Sequence, residues 1–245
     1  MLSCIARIAC LALALVAGPA KSGDLAGDLT DFNAAVEKAE SHNRVAIGYL
    51  RTGNLDLALL EIDRLREAWA VFEQRFAGKR PEVFDGVALY GIMFTGVNAR
   101  LVAVDLMIKM GKPDAVRQSL EAIRGDLYDL RKAAGIKVLA DCVRDANGAM
   151  DALMVYDGRT LDWTNAETRD GVASKASTYG SVLDRCDGMA DDAVRKAGEF
   201  RRLVDGAKAS LALIPKAIAT RDSDLLHRVL IELRSFDNLL SFRFG

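Results

Sequence analysis

Residues 199–244 read EFRRLVDGAKASLALIPKAIATRDSDLLHRVLIELRSFDNLLSFRF and predict a helical hairpin. Apolar residues recur every three or four positions on both sides of a polar break at 220–222, which is the pattern of two helices that each bury one face. Pro215 lies inside the first of these helices and, because it lacks a backbone N–H, predicts a kink near Leu211. The stretch therefore predicts two antiparallel helices joined by a tight turn.

The same pattern occurs near the start of the chain. When residues 199–244 are shifted by 168 positions without a gap, they align with residues 31–76. Ten of the 46 pairs are identical and the pair Ile62/Leu230 is conservative, whereas composition alone would give roughly 3 identities. We therefore predict that the two terminal hairpins are related by internal duplication. The identical pairs are Phe32/Phe200, Val36/Val204, Ala39/Ala207, Thr52/Thr220, Asp56/Asp224, Leu57/Leu225, Leu65/Leu233, Arg66/Arg234, Arg75/Arg243 and Phe76/Phe244.

The first 20 residues have the features of a secretory signal peptide. Arg7 precedes an uninterrupted apolar run at 8–17, and the small residues at 18–20 predict cleavage after Ala20. The run is too short to cross a membrane. The alternative is a retained anchor or a wrongly assigned start of the chain. We expect the mature protein to be periplasmic or secreted.

Charge and cysteine content exclude one class of function and predict one covalent link. The chain has 33 Lys and Arg against 34 Asp and Glu, and removal of residues 1–20 leaves 32 against 34, a net charge of −2. Such a near-neutral product argues against a general nucleic-acid binder. Cys142 and Cys186 remain after cleavage, and an even pair in an exported chain predicts a disulfide. Two separate buried thiols are the alternative.

The predicted fold class is all-α. No stretch shows sustained strand alternation. We expect about eight helices in antiparallel hairpins that form one or two helical bundles, with related hairpins at the two ends. Residues 21–29 are rich in Gly and Asp and predict a flexible lead-in, and Thr30 or Asp31 is the expected cap of the first helix. The domain ranges are 30–134 for an N-terminal bundle and 135–245 for a C-terminal bundle, with one continuous domain as the alternative.

The sequence contains no recognisable catalytic motif. It has only two histidines and lacks G-x-S-x-G, H-E-x-x-H, C-x-x-C and a phosphate-binding glycine loop. We therefore expect a protein that is not an enzyme.

Four residues are candidates for holding a cofactor. His227 has Asp224 three residues before it, which would orient its ring, and His42 is the other histidine. Met93 and Met107 would line a cavity or act as second ligands, although methionines at helical spacing are more often ordinary core. The spacing supports no local metal site, so we predict no cofactor; the alternative is haem b or a metal ion held without covalent attachment.

Residues 51–54 (Arg-Thr-Gly-Asn), followed by an Ala- and Leu-rich helix that ends at 69–76 (Trp-Ala-Val-Phe-Glu-Gln-Arg-Phe), resemble the final helix of the cytochrome c-prime type of periplasmic four-helix bundle. In that family a Gly-Asp or Gly-Asn turn precedes a helix with Cys-x-x-Cys-His, which attaches haem. The attachment positions are occupied here by Trp69, Phe72 and Glu73, and in the second hairpin by Asp237, Leu240 and Ser241. The resemblance implies a helical bundle and does not imply covalently attached haem.

These observations together predict an exported, non-enzymatic binding or interaction module. Its partner is an unknown protein or small molecule, recognised by a helical surface or a groove between helices. Asn98, Arg100 and Asp105 interrupt the most apolar helix, so we expect no membrane span after signal cleavage. The alternative function is electron transfer by a bundle that holds haem or a metal.

Overall fold

A computed structural model describes residues 22–158 and 160–245, and all regular secondary structure within these ranges is helical. The all-α prediction is therefore confirmed. The predicted signal peptide lies outside the described residues. The helices are α1 (Ser22–Arg51), α2 (Leu55–Phe76), α3 (Leu89–Lys109), α4 (Pro113–Ala133), α5 (Leu139–Met154), α6 (Ala166–Met189), α7 (Asp192–Lys196), α8 (Gly198–Leu211), α9 (Ile214–Thr220) and α10 (Ser223–Phe244), with one turn of 3₁₀ helix at Glu82–Phe84.

The helices form two four-helix bundles, each with its own apolar core. Helices α1 to α4 surround the first core, and α5, α6, α8 with α9, and α10 surround the second. The connection between the bundles is short and turns at Gly135, whose φ of 70° is easy for glycine. The bundles also touch through α1 and α10. Their meeting surface contains the candidate site described below.

Helix α1 begins earlier than the sequence indicates. It starts at Ser22, so residues 22–29 of the expected flexible lead-in at 21–29 are helical, and Thr30 lies inside the helix instead of capping it. Leu29 packs against the first core, which favours continuing the helix backwards past this position. Each glycine in a helix interior costs only about 1 kcal/mol, so the two glycines in this stretch do not prevent the extension.

The two terminal hairpins turn in the same way, as the predicted duplication requires. Gly53 and Arg221, which are 168 positions apart, both have positive φ, 75° and 55°. The next residue in each turn caps the following helix: Asn54 accepts a hydrogen bond from the backbone N–H of residue 57, and Asp222 accepts one from that of residue 225. Helices α2 and α10 begin and end at positions related by the same shift.

The packing inside the hairpins is also equivalent. The rings of Phe32 and Phe76 meet edge to face with centroids 5.3 Å apart, and those of Phe200 and Phe244 do so at 5.1 Å. The predicted kink is confirmed, because the helix containing Pro215 is divided into α8 and α9.

In the first bundle, α3 packs beside the repeated hairpin and is fixed by Asn98. The indole N–H of Trp69 donates to Asn98 Oδ1 at 2.8 Å, and Asn98 Nδ2 donates to Glu73 Oε1 at 2.6 Å. Asn98 therefore links two positions that lie one turn apart on α2.

In the second bundle, α5 takes the place that α3 has in the first. Asn147 donates to Asp237 Oδ1 at 3.0 Å and accepts from the hydroxyl of Ser241 at 3.1 Å. These two residues are the 168-residue counterparts of the pair that Asn98 links. The repeated hairpin is thus the first half of one bundle and the last half of the other.

Candidate ligand-binding cleft

The two histidines lie against carboxylates in different bundles. His42 Nδ1 is 2.7 Å from Glu61 Oε2, and His227 Nδ1 is 2.6 Å from Asp157 Oδ1. The partner of His227 is therefore not Asp224, which we expected from the sequence. The loop after α5 brings Asp157 to the start of α10, and helical spacing gives no information on such a contact.

The methionine candidates belong to the first core. Met93 is buried there and Met107 packs against it, whereas His227 is in the second bundle, so the structure does not bring these three residues together. Among the described residues, no group of three His, Cys, Asp or Glu side chains could hold a metal ion. The haem and metal alternatives stay predictions.

The cysteine pair agrees with the predicted disulfide. Cys142 on α5 and Cys186 on α6 are at disulfide distance, with their Cα atoms 5.4 Å apart. Both side chains are buried. Such a pair is consistent with an exported protein.

Helix α3 is, by length and composition alone, a candidate membrane span within the described residues. One face of α3 packs in the first core. Its polar residues have partners within the bundle: Asn98 bonds to α2, and Arg100 Nε donates to Asp126 Oδ2 on α4 at 2.8 Å. The helix therefore serves as one wall of the first bundle.

A buried ion-pair network joins the two bundles. Arg131 on α4 is 3% exposed; it donates to Glu40 on α1 at 3.1 Å and to Asp141 on α5 at 2.8 Å. Burial alone would lower the pKa of Arg131, but attraction by the two carboxylates raises it well above the usual value. Removing one partner from such a network costs several kcal/mol, so Arg131 holds the two bundles at a fixed spacing.

Beside this junction, a cleft of about 360 Å³ opens between α1, α4 and α10. Ile47, Leu239 and Phe242 form its apolar wall. Gly48 allows the helices to approach closely here, because a Cβ at this position would be 2.8 Å from the ring of Phe242. The volume is at the lower end of the range for small-molecule sites.

Three arginines line the cleft, and two of them are paired with carboxylates. Arg44 Nη2 donates to Glu37 Oε1 at 2.6 Å, and Arg51 Nη2 donates to Glu121 Oε1 at 3.1 Å. Each of these two arginines thus has a carboxylate partner, although Glu121 also pairs with Arg117. The third arginine, Arg124, differs from them.

Arg124 lines the cleft without a partner. Among the described residues, it has no hydrogen bond or ion pair. The pKa of Arg124 lies below its usual value, mainly because of the burial of its side chain, whereas attraction by Glu40 raises this pKa. Arginine nevertheless stays protonated in proteins. Repulsion by neighbouring cations lowers this pKa further, and these cations are Arg44, Arg144 and Arg51.

A second donor in the cleft is also unused. Arg44 is only 6% exposed, and its Nε–H has no hydrogen-bond partner among the described residues. A buried donor without a partner costs about 1–3 kcal/mol, and such groups in native proteins call for an explanation. This Nε–H is enclosed by the protein, so the unpaired guanidinium that the cleft presents beside its apolar wall is that of Arg124.

Compared with known protein families, curated proteins and solved structures, the chain has no match in any of the three. The likeness to cytochrome c-prime bundles therefore rests on the sequence alone. No motif in the sequence marks the cleft arginines. Arg44 and Arg51 are seven residues apart and so share a helix face, which was the one available signal. Arg124 joins them only through tertiary packing.

Proposed function

We propose that the protein is an exported, non-enzymatic binding module that holds a small-molecule partner in the cleft between its two bundles. The observation that carries this proposal is the unpaired guanidinium of Arg124 in the cleft wall. Arg124 is half-buried, and its N–H groups bond to no other described residue, so they can donate to the acceptors of a ligand in the cleft.

The hydroxyl groups of the cleft support a binding role over a catalytic one. Ser241 donates to Asn147, and Thr52 donates to backbone carbonyls of its own helix. A serine or threonine nucleophile needs a general base within hydrogen-bond reach, and these two hydroxyls point their protons to an amide and a carbonyl.

The test is to recover the protein together with what it holds. The full chain is expressed with its own N-terminus and purified from the exported fraction, and bound small molecules are identified by native mass spectrometry. Leu239→Trp fills the cleft from a side chain that is 41% exposed. We expect this variant to carry at least tenfold less bound material than the wild type.

The matched control is Val71→Trp, at the position of the first hairpin that corresponds to Leu239. Val71 is 62% exposed and lies away from the cleft, so this variant should carry the same amount of ligand as the wild type. Equal loss in both variants, or a wild-type protein without bound material that also binds nothing in a metabolite screen, would overturn the proposal.

A further inference from the structure

We infer that the ligand of the cleft is an organic anion with an acidic head and an apolar body. This inference rests on the proposed function and specifies its ligand. The acidic head pairs with Arg124, and the body lies against the wall formed by Ile47, Leu239 and Phe242.

The charge balance around Arg124 favours an anion. Glu40 is the acidic neighbour that raises the pKa of Arg124, and this carboxylate also pairs with Arg131. Arg144 adds a further positive charge from α5; its guanidinium lies 4.9 Å from the ring centroid of Tyr128. The region around Arg124 therefore has an excess of positive charge, which an anionic group reduces and a neutral or cationic group does not.

The shape of the donors suits a carboxylate, phosphate or sulfonate. A guanidinium presents parallel N–H groups that bind two oxygens of such a head at once. Both oxygens of one acidic head can pair with the guanidinium of Arg124, which the protein itself leaves unpaired.

The apolar wall requires more than an inorganic ion. Leu239 and Phe242 on α10 line the cleft together with the buried Ile47 on α1. A small ion on Arg124 leaves Leu239 and Phe242 in contact with water, whereas an apolar chain covers them. Each methylene that leaves water strengthens binding roughly fourfold.

The experiment compares three probes that separate head from body: octanoate, 1-octanol and acetate. Binding to the full-length exported protein is measured by titration calorimetry at low salt. We expect octanoate to bind at least tenfold more tightly than either of the other two probes. Its affinity should fall as salt rises, because salt screens the pairing with Arg124.

Two variants test whether the acidic head pairs with Arg124. Arg124→Gln should weaken octanoate at least tenfold and leave 1-octanol unchanged. The control is Arg117→Gln, which removes the same charge from the same helix at a residue paired with Glu121; it should change octanoate less than threefold. Circular dichroism and thermal unfolding check that both variants are folded.

The results separate this inference from the proposed function. Equal binding of octanoate and 1-octanol, lost together in Leu239→Trp, would leave the cleft as a binding site and overturn its preference for anions. Acetate binding as tightly as octanoate would overturn the apolar body, and an equal loss in Arg117→Gln would overturn the role of Arg124. If no probe binds and the purified protein carries nothing, both proposals fail.

Discussion

The two bundles contain the same hairpin but stabilise it differently. In the first bundle, Trp69 and Phe72 extend a network of stacked aromatic rings. In the second, the corresponding positions hold Asp237 and Leu240, and a cysteine pair joins two of the helices. The turn and the buried stripe are common to both hairpins. The comparison indicates that the turn and the buried stripe determine the hairpin. The types of side chain that fill the core around it can differ widely.

Each bundle contains one of the two tryptophans, so their unfolding can be followed separately. Trp69 is buried in the first core and Trp163 in the second. Trp163→Phe leaves fluorescence from the first bundle only, and Trp69→Phe leaves it from the second. These two backgrounds are used in the predictions that follow.

The largest expected effect is at Phe32. Its ring contacts four aromatic rings, whereas that of its counterpart Phe200 contacts one. We expect Phe32→Ala to lower the free energy of unfolding of the first bundle by about 3–5 kcal/mol. Phe200→Ala should cost the second bundle less, since aromatic pairs add about 0.5–1.5 kcal/mol beyond area burial. Chemical denaturation in the matching tryptophan background measures both. The rings around Phe32 are those of Phe72, Phe76, Phe84 and Tyr90, and the ring beside Phe200 is that of Phe244. Equal losses at the two positions would mean that the aromatic network adds nothing.

Removal of the disulfide should weaken the second bundle selectively. Cys142 and Cys186 are 44 residues apart in sequence, and closing a loop of this size typically contributes about 2–4 kcal/mol. In the double variant Cys142→Ala/Cys186→Ala, we expect the unfolding midpoint reported by Trp163 to fall more than the one reported by Trp69. The wild type with and without reductant is the control. An equal fall in both signals would mean that the two bundles unfold as one unit.

The smallest effect concerns pH and Asp237, which is 1% exposed. Burial raises the pKa of Asp237 to about 6 from 3.8. The folded state therefore holds this proton to a higher pH than the unfolded state, and its contribution to stability falls by about 2 kcal/mol as pH rises from about 4 to 6. Asp237→Asn cannot titrate. We expect the stability of this variant relative to the wild type to increase by that amount between pH 4 and 7.

The control for this titration is Asp151→Asn. Asp151 pairs with the same arginine as Asp237, Arg234, but its side chain is exposed. Its variant should keep most of the pH dependence of the wild type, because burial is the main cause of the raised pKa of Asp237 and repulsion by Asp151 is a smaller one. A difference between Asp237→Asn and the wild type that stays constant with pH would contradict the prediction. Denaturant titrations at four pH values measure all three proteins.

Much of the fold could be predicted from the sequence because its determinants are local. The turn of the second hairpin follows from the polar break at 220–222, and the division of its first helix follows from Pro215. The disulfide follows from an even number of cysteines. The sequence predicts too late a start for α1, since Leu29 gains its packing partner only in the folded bundle.

The arrangement of the helices could not be predicted in the same way. Periodicity indicates which face of a helix is buried but does not identify the neighbour that covers it. Asn98 and Asn147 have equivalent roles, yet a single shift of 168 residues does not align them, because α5 precedes the repeated hairpin whereas α3 follows it. The cleft could not be predicted for the same reason, because Arg124 meets α1 and α10 only after the bundles have come together.

The contact between α1 and α10 holds the two bundles together in addition to the chain that connects them. Gly48 receives the ring of Phe242, and Arg131 ties α1 and α4 to α5 at the same junction. Proteolytic cleavage within residues 134–138 would therefore leave two fragments that stay associated. The two halves of the molecule, produced as separate polypeptides, should associate and form the cleft between them again.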